Sequence, residues 1–102
     1  MSSMVTLFDG DDAAYLNWLR RNTNGYVVNI RRRVDPSYVV LHRATCALML
    51  RHRDIETNPG GFTERKLRKV CGTSISEIER FLDQLPEGPY SVSKACSQCK
   101  PY

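Results

Sequence analysis

Apolar positions recur with two different periods along the chain. Tyr15, Trp18 and Leu19, with Leu16 beside them, have helical spacing. Asp9, Asp11 and Asp12 stand just ahead of them, where carboxylates accept from free backbone N–H groups and complement the helix dipole. This acidic group therefore reads as a helix start rather than a metal loop. Arg20 and Arg21 suit a last turn and Asn24-Gly25 a stop, which predicts a helix over 11–22. Tyr26 to Ile30 and Tyr38 to His42 are β-rich runs on either side of the turn residues Val34 to Ser37, the pattern of an antiparallel hairpin. Further on, 47–50 fits a helical turn or a short strand, 57–61 is loop, and Lys66 to Cys71 partly alternates as a short strand. A second helix opens at Ser74 and Glu77, which have capping-box spacing. Ile75, Ile78, Phe81, Leu82 and Leu85 form its apolar stripe, and Pro86 to Pro89 ends it. Residues 90–95 fit a last short strand, and 1–8 a flexible leader or an edge strand. The reading is an α+β domain, a small and mainly antiparallel sheet whose surface the two helices cover.

A chain of 102 residues has room for one compact domain, 1–102. No apolar stretch approaches the roughly 18 residues that a membrane helix needs, and Met1 to Leu7 lack the basic start and apolar run of a signal peptide. The expectation is a cytoplasmic protein without a membrane partner. Its four cysteines then point to metal binding rather than to disulfides.

Cys96-Ser97-Gln98-Cys99 is C-x2-C, a spacing at which one tight turn aims two sulfurs at one ion. His42-Arg43-Ala44-Thr45-Cys46 is H-x3-C and begins where a β-run ends, so the chain can turn and direct both side chains to one point. Two such pairs make the four thiolate and imidazole donors that a structural zinc takes. The favoured ligand set is His42, Cys46, Cys96 and Cys99. The rival set replaces His42 with Cys71, which otherwise reads as a small buried hydrophobe. His52 has no ligand-spaced neighbour.

The pattern C-x3-C followed by C-x2-C-[KR]-P resembles the metal-binding domain of bacterial Ada-type DNA-alkylation-repair proteins. His42-x3-Cys46 matches its first pair and Cys96-x2-Cys99-Lys100-Pro101 its second, over about ten residues at two places. The resemblance implies one structural zinc and an association with DNA. In that family the first cysteine accepts a methyl group from damaged DNA phosphate. His42 stands at that position here, and imidazole ligates zinc but does not replace that thiolate nucleophile. The scaffold is thus expected without the repair chemistry.

Charge is unevenly spread around a net +4. Arg31, Arg32, Arg33, Arg43, Arg51 and Arg53 face Asp35 alone within 31–53, and Arg65, Lys66, Arg68 and Lys69 follow, whereas 73–90 is acidic. A polarised surface of this kind suits nucleic acid, with these ten side chains on phosphates and Tyr26, Tyr38 and Phe62 available for stacking. No phosphate loop, no H-E-x-x-H and no nucleophile paired with a histidine is present, so no enzyme is expected. The functional expectation is a zinc-stabilised nucleic-acid-binding module. A zinc-stapled protein-interaction or adaptor domain is the alternative, and a thiol-based redox or metal sensor ranks below both.

Overall fold

The computed structural model of the chain describes residues 5–46, 49, 63 and 67–101. The elements run β1 (Thr6–Phe8), α1 (Asp12–Arg21), β2 (Tyr26–Arg31), β3 (Val39–Arg43), β4 (Leu67–Gly72), α2 (Ile75–Asp83) and β5 (Lys94–Ala95). The five strands form one sheet in the order β1-β4-β2-β3-β5. All neighbours are antiparallel except β3 and β5, which run parallel. The expected α+β class, the two helices and the mainly antiparallel sheet are all present. Apart from Met49, the segment 47–62 lies outside the described residues, and so do the readings made for it.

The hairpin forms as its sequence predicts, with Tyr26 opposite Arg43 and Ile30 opposite Val39. Strand β2 is the centre of the sheet and also pairs along its whole length with β4, from Tyr26 opposite Gly72 to Arg31 opposite Leu67. Successive side chains of a strand point to opposite faces. Val28, Ile30, Val39, Leu41 and Val70 therefore meet Ile78 and Leu82 of α2 on one face. Val27 and Cys71 meet Tyr15 and Leu19 of α1 on the other. A helix on each face leaves β2 covered on both sides, and Val27, Val28 and Ile30 are fully buried.

The helix ends follow local chemistry. The Asp11 side chain accepts from the Ala14 N–H at 3.0 Å at the start of α1. Ser74 does the same for Glu77 at 3.4 Å at the start of α2. Gly25 has a reason beyond stopping a helix, because a Cβ there would lie 2.7 Å from the Trp18 ring. Its lack of a side chain lets the chain pass under that ring into β2.

Strand β4 departs most from its expected character. It is a six-residue strand bonded on both sides, with Arg68 and Lys69 only 6% and 3% exposed. The Arg68 guanidinium donates through Nε and Nη2 to the Arg31 carbonyl, at 3.1 and 2.9 Å, and its Nη1 pairs with Glu87 at 2.8 Å. The Lys69 ammonium donates to Asn29 Oδ1 and lies 5.8 Å from the centre of the Tyr15 ring. Both cations are internal because partners on neighbouring elements satisfy them.

Candidate metal centre

His42 is the penultimate residue of β3. It lies opposite Val27, on the face that α1 covers. After Arg43 the chain turns. The Ala44 N–H donates to the Gly25 carbonyl at 2.9 Å and the Cys46 N–H to the Arg43 carbonyl at 3.0 Å. This turn brings Cys46 back beside His42, with Sγ 3.7 Å from Nδ1. The second pair arrives through β5. Parallel pairing of Leu41 with Ala95, continued by a Cys96 N–H bond to the Leu41 carbonyl at 2.9 Å, sets Cys96 next to His42. The sulfurs of Cys46 and Cys96 are 4.0 Å apart. A tight turn closed by Lys100 N–H on the Cys96 carbonyl at 3.0 Å then returns Cys99. The donor atoms of His42, Cys46, Cys96 and Cys99 all lie within 4.8 Å of one another. This group of four can hold a metal ion.

Position and electrostatics prepare these side chains for a cation. His42, Cys46 and Cys96 are buried and Cys99 is partly exposed. Burial, with the Lys69 charge added, pushes the His42 imidazole down to about 4, so it is the neutral donor that a metal requires. Burial acts to raise the Cys96 thiol. The N–H groups of Cys99 and Gln98 and the side chains of Cys99 and Cys46 outweigh it and bring the thiol below its ordinary value. The Arg43 N–H donates to Cys99 Sγ at 3.2 Å.

Cys71 is not in this group. Val27 pairs with His42 on one side and with Cys71 on the other, so two inter-strand spacings, about 10 Å, separate their backbones. Cys71 is fully buried beside Tyr15 and Val27, and burial pushes its thiol well up. The structure therefore favours the His42 set over its rival, and Cys71 is a core residue.

The ten basic residues do not form one surface. Arg68 and Lys69 lie inside, as described above, and for these two the expected phosphate contact is corrected. Arg51, Arg53, Arg65 and Lys66, with Phe62 and His52, lie outside the described residues. At the β2–β3 turn, Arg31 pairs with Asp35 at 3.2 Å and stacks 4.3 Å above the Tyr38 ring. Arg32 pairs with Asp9 at 2.8 Å and donates to the Thr63 carbonyl, while Arg33 is exposed. Tyr26 packs against the α2-side core. Arg43 stands at the opposite end of the hairpin, against the metal-binding turn. Its Nε donates to the carbonyls of Cys99 and Lys100 at 2.9 and 3.2 Å, and its Nη2 to Lys100 at 3.0 Å. Two exposed lysines beside that turn, Lys94 and Lys100, escape a reading that counts charge in runs. Their signal is adjacency to the C-x2-C pair.

Among the described residues no helix is long and apolar enough to cross a membrane. The chain matches no protein-family model, no curated protein and no solved structure.

Proposed function

We propose that this chain is a zinc-stapled, non-catalytic module that binds nucleic acid. The observation that carries the reading is the convergence of three thiols and an imidazole, with the exposed cations Arg43, Lys94 and Lys100 in the described segments that supply them.

The donor set supports zinc. Thiolates with imidazole suit zinc and do not suit magnesium or calcium, which take oxygen. A tetrahedral ion with bonds of about 2.3 Å to sulfur and about 2.0–2.1 Å to nitrogen sets two sulfurs about 3.8 Å apart, and sulfur and nitrogen about 3.6 Å apart. The corresponding separations here are 4.0 and 3.7 Å. Four protein ligands leave no position for a reacting water, which supports a structural role. Bound there, zinc would tie the β3 end to the C-terminal turn and stabilise the fold.

Nucleic acid is supported by these exposed cations and by the resemblance of the ligand spacing to a DNA-associated zinc domain. Its test is a titration of the metal-loaded chain against labelled duplex DNA, single-stranded DNA and RNA at several salt concentrations. Affinity that falls linearly on a log–log plot with salt supports the reading. No binding to any of the three at low salt overturns it.

A further inference from the structure

We propose that the metal end of the β2–β3 hairpin is the surface that meets nucleic acid. Arg43, Lys94 and Lys100 there contact backbone phosphates, and the bound metal keeps that surface in order. The proposal rests on the nucleic-acid reading above and names its contact surface.

Charge distinguishes the two ends of the hairpin. At the turn end the arginines are largely engaged within the chain: Arg31 faces Asp35 and Tyr38, and Arg32 faces Asp9 and the Thr63 carbonyl. Two carboxylates offset much of the charge there. The described segments that supply the ligands, 38–46 and 93–101, contain Arg43, Lys94 and Lys100 and no Asp or Glu. A divalent ion with three thiolates and a neutral imidazole carries one negative charge. Those two segments therefore keep a positive excess after the ligands are counted. No ion pair engages any of these three cations among the described residues.

Register sets the three cations along one edge of the sheet: Lys94 lies on the face of His42, and Arg43, the next residue after His42, starts from the opposite face. Parallel pairing places Lys94 beside Val40, three residues before Arg43. At about 3.3 Å per residue and about 4.8 Å between strands, the Lys94 and Arg43 backbones are about 11 Å apart. Lys100 is tied to Arg43 through its carbonyl, at 3.0 Å from Nη2. Long side chains at that edge can reach a phosphate backbone that runs along it.

The same bonds connect this surface to the metal. Arg43 uses Nε and Nη2 on the carbonyls of Cys99 and Lys100, which fixes the guanidinium plane and leaves Nη1 without a hydrogen bond among the described residues. Lys100 takes a positive φ of 47°, a conformation that a side chain rarely adopts. The turn is held there by its own N–H on Cys96 and by Arg43. An ion joining Cys96 and Cys99 to His42 and Cys46 holds the carbonyls that orient Arg43. Loss of the ion frees the turn and disperses the cations.

The experiment measures anisotropy of a fluorescein-labelled DNA duplex titrated with full-length, metal-loaded protein over a range of salt. Wild type, the double variant Lys94→Gln/Lys100→Gln and Arg33→Gln are compared, with metal content measured on each. The double variant should keep its metal and lower the magnitude of the salt slope by about 2, roughly one for each phosphate no longer neutralised. Arg33→Gln should leave the slope unchanged. Protein stripped with a chelator should lose binding even where circular dichroism shows that it remains folded. A double variant that binds like wild type, or an Arg33→Gln loss as large as that of the double variant, overturns the proposal and leaves the nucleic-acid reading standing. A wild type that binds no nucleic acid removes both.

Discussion

Thr63 is bonded on several sides to the start of α1, and its loss can be isolated from the metal. It is fully buried, and its Oγ donates to Asp12 Oδ1 at 2.7 Å and accepts from the Asp11 N–H at 2.8 Å. Its own N–H also donates to Asp12 Oδ1 at 2.7 Å, and its carbonyl accepts from the Gly10 N–H at 2.7 Å and from Arg32. One threonine thus ties a distant part of the chain to the start of α1. Thr63→Val keeps the shape and every backbone bond and removes only the hydroxyl. A hydrogen bond to a charged group contributes about 1.5–3 kcal/mol, and one between neutral groups about 1. Asp11 is exposed and can recover a water partner, so most of the loss falls on the bond to buried Asp12. The expected destabilisation is about 2–3 kcal/mol. Urea unfolding should show a lower midpoint at an unchanged m-value. In a double-mutant cycle with Asp12→Ala the two changes should be strongly non-additive, because both remove the bond between the Thr63 hydroxyl and the Asp12 carboxylate. Metal stoichiometry should not change. A loss below about 0.5 kcal/mol, or additivity within error, would refute the role given to this hydroxyl.

Two further perturbations test the α1 face. Burial pushes the Lys69 ammonium down to about 8 from its ordinary 10.5, despite the opposing charges of Cys71 and Asp12. Between those two values the unfolded chain holds a proton that the folded chain has released, so this residue makes stability rise with pH across that window. The full effect is on the order of 3 kcal/mol, of which about 1 falls between pH 7 and 9. Cys71 works in the opposite direction, because its thiol ionises first in the unfolded chain. The comparison is therefore wild type against Lys69→Met, and a difference between them that does not move with pH would contradict the assignment. Gly25→Ala should cost about 1–3 kcal/mol in thermal or urea unfolding, since the new Cβ meets the Trp18 ring at 2.7 Å. A neutral result would show that Trp18 gives way.

The parts of this fold that could be read in the sequence are those with a single local signal. The β2–β3 hairpin has two β-rich runs around a proline turn. The stripe of α2 has one period and a cap at Ser74 that forms as its spacing predicts. The metal ligands were legible because H-x3-C and C-x2-C each need only one turn of chain. Residues whose state depends on distant partners were not. Arg68 and Lys69 read as surface charge, yet Arg31, Glu87 and Asn29 satisfy them inside a sheet covered on both faces. Nothing near Thr63 in sequence announces its bonds to residues some fifty positions away. The two-residue strand β5 is too short to carry a pattern of its own. Its parallel pairing with β3 is nonetheless what brings Cys96 to His42.

Metal analysis of protein purified without added metal tests the centre most directly, with His42→Ala and Cys71→Ser measured in parallel. One zinc per chain in the wild type, lost or much weakened in His42→Ala and kept in Cys71→Ser, is the expected result. Zinc absent from the wild type, or retained without His42 and lost without Cys71, would contradict the site described here.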